Sequence, residues 1–286
     1  TALSLVAMYT NFLTGMMPTE LGKITNLQEF AAFNNRLNGT LPTDLGHLTA
    51  LTSLDLRDNY LTGTLPTEFG HLTAMKKLIF ENNVLKGKLP TEFGKLTAME
   101  MFSIASNAFT GTLPTELRQI ITLQAFDASN NSLIGTIPKE FDTWINLQEI
   151  TVDDNLLTGT LPSELGSWSA LTTLSVRSNS LTGTVPTELG LLSSLQYLDL
   201  YNNSMYGTLP TELAGLFSLV WLDISNNGFI GTLPEVYNVP GFYAYAVSAN
   251  GFTGTIPTWI GEMTSAFYFS LSNNSLIGTL PTEVGH

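Results

Sequence analysis

The 286-residue sequence contains no cysteine, three histidines, and 11 lysines and arginines against 24 acidic residues. Without cysteine, no disulfide framework can stabilise the fold. The formal net charge of −13 makes nucleic acid and anionic membrane surfaces poor partners. No run of 18 apolar residues occurs, so the sequence predicts no membrane span.

Patterns of catalytic and metal-binding residues are scarce as well. His47 and His71 occupy the same phase of neighbouring repeats, but no third ligand converges on them. No serine lies near a candidate base, and there is no glycine-rich phosphate loop. We therefore predict no catalytic residue, no metal site and no cofactor, and a protein that is not an enzyme.

What the sequence does contain is a repeat. One asparagine recurs in ten steps of 24 residues and one step of 23, the latter from Asn227 to Asn250. It stands in the frame L-x-x-L-x-L-x-x-N-x-L followed by G-x-L-P, as in residues 51–66. A fixed period of this length predicts a solenoid of stacked coils. We number the coils one to twelve by their asparagines at 11, 35, 59, 83, 107, 131, 155, 179, 203, 227, 250 and 274.

The frame of residues 51–66 resembles the plant-type leucine-rich repeat of receptor-like kinase ectodomains and polygalacturonase inhibitors. The longer phrase at residues 61–70, Leu-Thr-Gly-Thr-Leu-Pro-Thr-Glu-Phe-Gly, is similar to repeats of diatoms and related algae. The resemblance implies a right-handed α/β solenoid, with parallel strands on the concave face and short 3₁₀ or helical turns on the convex face. It also implies an extracellular or cell-surface location and a receptor-like role.

Each coil follows one physical plan. In coil three, alternation directs Leu54 and Leu56 inward on a short strand. Asn59 then turns inward, where its amide can donate and accept hydrogen bonds at the bend. Beyond a second short strand, Pro66 and Glu68 suit the start of a helical turn. The twelve recurring asparagines are therefore interpreted as structural.

The twelve coils are expected to form one domain spanning residues 1–286. Terminal repeats of a solenoid normally carry a polar cap, and neither end of this sequence shows one. We therefore expect a fragment of a longer protein, or a unit that stacks end to end.

Acidic residues concentrate on the predicted concave face, and coils seven to ten combine them with aromatic side chains. Aromatic side chains beside charged groups are typical of binding hot spots. Asp199 and Asp223, one coil apart, are expected as like charges roughly 5 Å apart, which favours a cationic group of a ligand. We predict that a protein, peptide or glycan partner, basic or polar, binds here. The predicted binding residues are Asp153, Arg177, Tyr197, Asp199, Tyr201, Trp221, Asp223 and Tyr268.

Other interpretations remain open, one being that these residues are simply scattered over the surface. Threonine follows the repeat glycine in ten coils and precedes it in six, a grid similar to the ice-binding arrays of solenoid antifreeze proteins. Lys86 and Tyr206 are among the residues that break the row before the glycine, which weighs against ice binding. A structural scaffold that forms filaments by end-to-end self-association is a further alternative.

Four Asn-x-Ser/Thr sequons are candidates for glycosylation if the protein is secreted. They begin at Asn38, Asn130, Asn202 and Asn273.

Overall fold

The computed structural model describes residues 3–235, 242–263 and 265–285. It divides into two compact units, Thr1–Leu147 and Gln148–His286, which contain coils one to six and seven to twelve respectively. The single twelve-coil domain stays a prediction. Each unit is described separately below.

In the first unit, every coil contributes two short strands, and strands of the same kind pair in parallel with those of the next coil. The first strands of the coils (β1, β3, β5, β7, β9 and β11) form one sheet, and the second strands form another. The described strands are β1 (Leu5–Ala7), β2 (Thr14–Gly15), β3 (Glu29–Ala31), β4 (Arg36–Thr40), β5 (Ser53–Asp55), β6 (Tyr60–Gly63), β7 (Lys77–Ile79), β8 (Val84–Gly87), β9 (Met101–Ser103), β10 (Ala108–Gly111), β11 (Ala125–Asp127) and β12 (Ser132–Gly135).

The second unit repeats this plan. Its first strands (β13, β15, β17, β19, β21 and β23) pair in parallel in chain order. Its second strands form one pair, β14 with β16, and one sheet of β18, β20, β22 and β24. The described strands are β13 (Glu149–Thr151), β14 (Leu156–Gly159), β15 (Thr173–Ser175), β16 (Ser180–Leu181), β17 (Tyr197–Asp199), β18 (Tyr206–Thr208), β19 (Trp221–Asp223), β20 (Gly228–Gly231), β21 (Ala244–Ala246), β22 (Gly251–Thr255), β23 (Tyr268–Ser270) and β24 (Ser275–Ile277).

A 3₁₀ helix follows the second strand, and the proline of the repeat lies just before it. Pro66, for example, has φ −66° and ψ 137°, and Glu68 lies in the first turn that follows. The predicted placement of the recurring acid at a helix start is thereby confirmed for this coil. The described 3₁₀ helices are Thr19–Lys23, Thr43–His47, Thr67–His71, Thr91–Lys95, Thr115–Gln119, Lys139–Thr143, Ser163–Ser167, Thr187–Leu191, Thr211–Gly215, Thr258–Glu262 and Thr282–Gly285.

The core fills the space between these three sides of each coil. Leu54 from the first strand, Leu56 just after it, Leu61 from the second strand, and Phe69 from the helix are all fully buried. Tyr245 replaces the usual leucine in coil eleven, is equally buried, and donates its hydroxyl hydrogen to the carbonyl of Pro234. The predicted coil, with parallel strands and short 3₁₀ turns around an apolar core, is confirmed.

The asparagine ladder is present as predicted. The Nδ2 of Asn59 lies 3.0 Å from the carbonyl oxygen of Ala32 and 3.1 Å from those of Leu56 and Arg57. Its Oδ1 accepts the backbone N–H of Leu37 at 3.0 Å. One buried amide therefore satisfies backbone groups of its own coil and of the coil before it.

The residue before each ladder asparagine has a left-handed backbone conformation that the repeat frame does not specify. Asp58 has φ 54°, and the equivalent residue has a positive φ in all twelve coils. Asparagine and aspartate tolerate this region better than most side chains. These two residue types fill eight of the twelve positions, at 34, 58, 82, 130, 154, 202, 226 and 273. Serine, threonine or alanine fills the other four.

Across the described ranges, no helix is both long enough and apolar enough to span a bilayer.

Candidate functional site

Four aromatic rings stack across coils nine to twelve on the first-strand face of the second unit. Tyr197 stacks on Trp221 with centroids 5.1 Å apart, Trp221 on Tyr243 at 6.2 Å, and Tyr243 on Phe267 at 5.5 Å. We call these four residues the aromatic row.

The rings of the aromatic row are close to parallel, with interplanar angles of 16°, 20° and 11°. Since the centroid separations are close to the usual spacing of neighbouring strands, the rings stand across the strands and present their edges to solvent. Phe267 is 79% exposed and Tyr243 is 47% exposed, whereas Trp221 is half-buried. The indole Nε1 of Trp221 is buried and has no hydrogen-bond partner among the described residues.

Three carboxylates lie beside the aromatic row, and we call Asp153, Asp199 and Asp223 the carboxylate cluster. Asp199 and Asp223 are paired in register on β17 and β19. Each accepts, through Oδ1, the backbone N–H two residues further on, from Tyr201 and Ser225, at 2.9 Å. Because Tyr197 and Asp199 are two residues apart on one strand, the cluster and the row share a face of the sheet.

Asp199 is only 3% exposed, although the alternation of the strand predicts a solvent-facing residue. The reason lies in its strand position. The equivalent residues Ser175 and Ala246 are also buried in this unit. This position is the last of the three strand residues and lies where the side chains of adjacent coils cover it.

Arg177 is already engaged by two acids. Its Nε lies 4.0 Å from Oδ2 of Asp153, and its Nη2 lies 3.5 Å from Oδ2 of Asp154. Asp153 also accepts the hydroxyl of Ser175 and the backbone N–H of Arg177 at 2.9 Å. The guanidinium therefore compensates the coil-seven acids, and no ion pair joins a basic side chain to Asp199 or Asp223 in the described parts of the chain.

Burial raises the pKa values of the three carboxyl groups in the carboxylate cluster. Burial raises the pKa of Asp199 to about 7, with the negative charge of Asp223 adding to the effect. Burial likewise raises the pKa of Asp153 to about 6 and raises the pKa of Asp223. Near neutral pH the cluster is therefore only partly ionised.

The structure brings together most of the predicted binding residues. Tyr201 is exposed beside Asp199, but Tyr268 lies apart from Trp221, because the buried Ala244 stands between them in the register of β19, β21 and β23. Sequence reasoning missed Tyr243 and Phe267, which complete the row. Both precede their strands by one residue, a position that holds Gln196 in coil nine.

Sequence profiles described as leucine rich repeat match residues 49–109, 122–144, 145–205 and 169–229. The chain belongs to the leucine-rich repeat family. A comparison with curated protein sequences gives no match.

Three solved structures place the leucine-rich repeat chain among its relatives. It is similar to the plant peptide hormone receptor RGFR1 in complex with RGF2, with 32% identity and TM-score 0.92, over 94% of this chain and 43% of that one. It is also similar to the Arabidopsis receptor kinase HAESA in complex with the peptide hormone IDA and the co-receptor SERK1, with 30% identity and TM-score 0.91, over 99% and 52% of the two chains. The chain thus spans about half the length of these receptor chains. A plant ice-binding protein, with 23% identity and TM-score 0.70 over 98% and 82% of the two chains, shares the fold alone.

The threonines of the leucine-rich repeat have structural contacts of their own. Gly183 has φ +79°, and a Cβ added there would lie 2.7 Å from Cγ2 of Thr160 in the preceding coil. A Cβ added to Gly207 would likewise lie 2.8 Å from Cγ2 of Thr184. Thr182 donates its hydroxyl to the carbonyl of Gly159 at 3.2 Å. Threonine methyls and hydroxyls therefore contact the neighbouring coil. These contacts explain why threonine recurs in the repeat, and ice binding is not needed to explain it.

All four sequon asparagines of the leucine-rich repeat coils are exposed. Asn38 lies on β4, whereas the other three occupy the left-handed position before a ladder asparagine. Asn130 and Asn202 donate Nδ2 to the serine hydroxyl of the preceding coil, at 3.3 and 3.4 Å. Their use as glycosylation sites stays a prediction.

Proposed function

We propose that this leucine-rich repeat chain is a non-enzymatic, extracellular recognition domain that binds a protein, peptide or glycan partner. The binding surface is the aromatic row together with the carboxylate cluster, in coils seven to twelve. The observation that carries the proposal is the stack of four partly exposed rings beside Asp199. Aromatic side chains of this kind supply most of the energy at binding surfaces.

The likeness to receptors of peptide hormones supports this role and an extracellular location. Among the three kinds of partner, it favours a peptide. End-to-end self-association remains an alternative prediction. Ice binding is less well supported, since the threonine contacts between coils have a structural explanation and the likeness to the ice-binding protein concerns the fold alone.

The test begins with random linear peptides displayed on phage and with a glycan array, both screened on the intact chain. Binders are then measured against Tyr243→Ala. This residue is preferable to Trp221, since Tyr243 is 47% exposed whereas Trp221 is half-buried. We expect Tyr243→Ala to weaken binding by more than about 1 kcal/mol.

Tyr206→Ala is the matched control, because Tyr206 is also an exposed tyrosine, on the second-strand face of the same unit. It should leave binding unchanged. Binders that tolerate Tyr243→Ala but are lost with Tyr206→Ala would place the binding surface on the other sheet. A screen that yields no binder would contradict the proposed function.

A further inference from the structure

Charge is divided very unevenly between the two units. Residues 1–147 contain ten lysines and arginines and thirteen acids, a net charge of −3. Residues 148–286 contain eleven acids and one basic residue, Arg177, a net charge of −10. The aromatic row therefore lies in the part of the chain that most strongly attracts cations.

Within this acidic unit, Asp199 and Asp223 form a pair of carboxylates that no basic side chain joins in an ion pair among the described residues. The two residues face each other in register at roughly the 5 Å strand spacing, and Asp199 is almost completely buried. Arg177 is held by Asp153 and Asp154 in an earlier coil. Two adjacent carboxylates in such a setting need either a proton or an external cation.

The stacking of the rings in the aromatic row favours a peptide over a sugar as the ligand. Trp221 and Tyr243 are covered on both faces by neighbouring rings, so only their edges are free. A sugar ring stacks on a free aromatic face, which neither of these two central rings offers, whereas apolar side chains of an extended chain can pack across ring edges. The row and the pair lie on one face, roughly 6.7 Å apart along the strand, which is the spacing of alternate residues in an extended peptide.

We propose, on the basis of the proposed function, that the ligand is an extended peptide with a lysine or arginine side chain over Asp199 and Asp223 and with apolar side chains along the aromatic row. The ligand cation takes the place of the proton that the pair holds in the free protein. The affinity for such a peptide therefore rises with pH.

The size of the pH effect follows from the groups that face Asp199. These are Asp153, Asp223, Tyr197 and Arg177, of which the first two disfavour its ionisation and Arg177 favours it. With a pKa of about 7 for Asp199 in the free protein, and an ionised carboxylate in the complex, the affinity should increase about tenfold between pH 6 and pH 8. Lysine and arginine side chains stay charged throughout this range.

The experiment compares phage selections of random linear peptides on the intact chain, on the double variant Asp199→Asn/Asp223→Asn, and on Asp127→Asn. Asp127 is the matched control: it occupies the same strand position in coil six and accepts the N–H of Ser129 at 2.9 Å. Asparagine keeps an oxygen that can accept this backbone hydrogen bond. Thermal unfolding of each variant verifies that it is folded before selection.

We expect the unmodified chain and Asp127→Asn to enrich peptides that contain lysine or arginine, and these peptides to bind the double variant at least tenfold more weakly. Calorimetry of one such synthetic peptide at pH 6 and pH 8 should give the tenfold increase. If the double variant does not fold, replacing the peptide's basic residue with norleucine is the alternative measurement, with the same expected loss.

Two results overturn this inference and leave the proposed function intact: selected peptides that depend on Tyr243 but contain no basic residue, or glycans that bind the row where peptides do not. If the affinity is the same at pH 6 and pH 8, the ligand cation does not replace a proton on the carboxylate pair, and that part of the inference is wrong. Absence of binders in both screens contradicts the proposed function as well.

Discussion

At the scale of single residues, Asp199 shows why strand alternation misjudges exposure in a coil of three-residue strands. Alternation correctly assigns Leu198 to the core, and it assigns both neighbours to solvent. The actual exposure depends on the side chains of the adjacent coils, about 5 Å away on either side. Since Tyr197 and Trp221 are large, little room for solvent remains around the carboxylate.

The burial of Asp199 predicts an unusual dependence of stability on pH. Its pKa is about 7 in the folded chain and close to its ordinary value of 3.8 after unfolding, so the folded state favours the protonated carboxyl. The stability that this provides is present at pH 4 and is lost as the pH rises to about 7. We expect Asp199→Asn to be more stable than the unmodified chain by about 2 kcal/mol at pH 8, and by much less at pH 5.

Urea unfolding at the two pH values measures this difference, with Asp127→Asn as the control that shares the strand position and the backbone hydrogen bond. If the unmodified chain, Asp199→Asn and Asp127→Asn all show the same pH dependence of stability, Asp199 does not titrate between pH 5 and pH 8.

At the scale of elements, the period of the sequence was sufficient to predict the strands, the asparagine ladder and the helical turns. Each of these depends on contacts that recur in every coil, such as the bonds of Asn59. The aromatic row could be predicted only in part. Tyr243 and Phe267 lie just before their strands, where side-chain direction depends on the neighbouring coil rather than on alternation. The charge difference between the units, in contrast, was readable from the sequence and is a usable signal.

The helical side of the coils depends on close contacts at glycine. In the helix Thr43–His47, a Cβ added to Gly46 would lie 2.6 Å from the backbone oxygen of Glu68 in the next coil. Backbone atoms cannot move aside without separating the coils, so we expect Gly46→Ala to lower the free energy of unfolding by about 2 kcal/mol.

Chemical denaturation of Gly46→Ala measures this cost. The equivalent position in coil nine naturally carries an exposed alanine, Ala214, and Ala214→Gly is the matched control with little expected change. A neutral Gly46→Ala variant would mean that the spacing of the coils adapts to one added methyl group.

At the scale of the whole molecule, the concentration of negative charge in residues 148–286 affects how partners approach. A net charge of −10 with one basic residue attracts cationic ligands over distances set by the ionic strength. We expect the affinity for a selected basic peptide to fall about tenfold between 50 mM and 500 mM NaCl, chiefly through slower association. Surface plasmon resonance at several salt concentrations measures both rates. An affinity that is independent of salt would show that apolar contacts with the row dominate.

The bonds of the asparagine ladder also bear on how the chain responds to mechanical force. Within each unit, ladder amides join their own coil to the one before it, as Asn59 does with Ala32 and Leu37. A pull on one end of a unit therefore loads a single junction at a time, and the next coil holds until its neighbour has detached. Each detachment releases one repeat of 24 residues, or about 80 Å of extended chain. Under tension, each unit is therefore expected to lengthen in steps of one repeat as its coils unfold one after another.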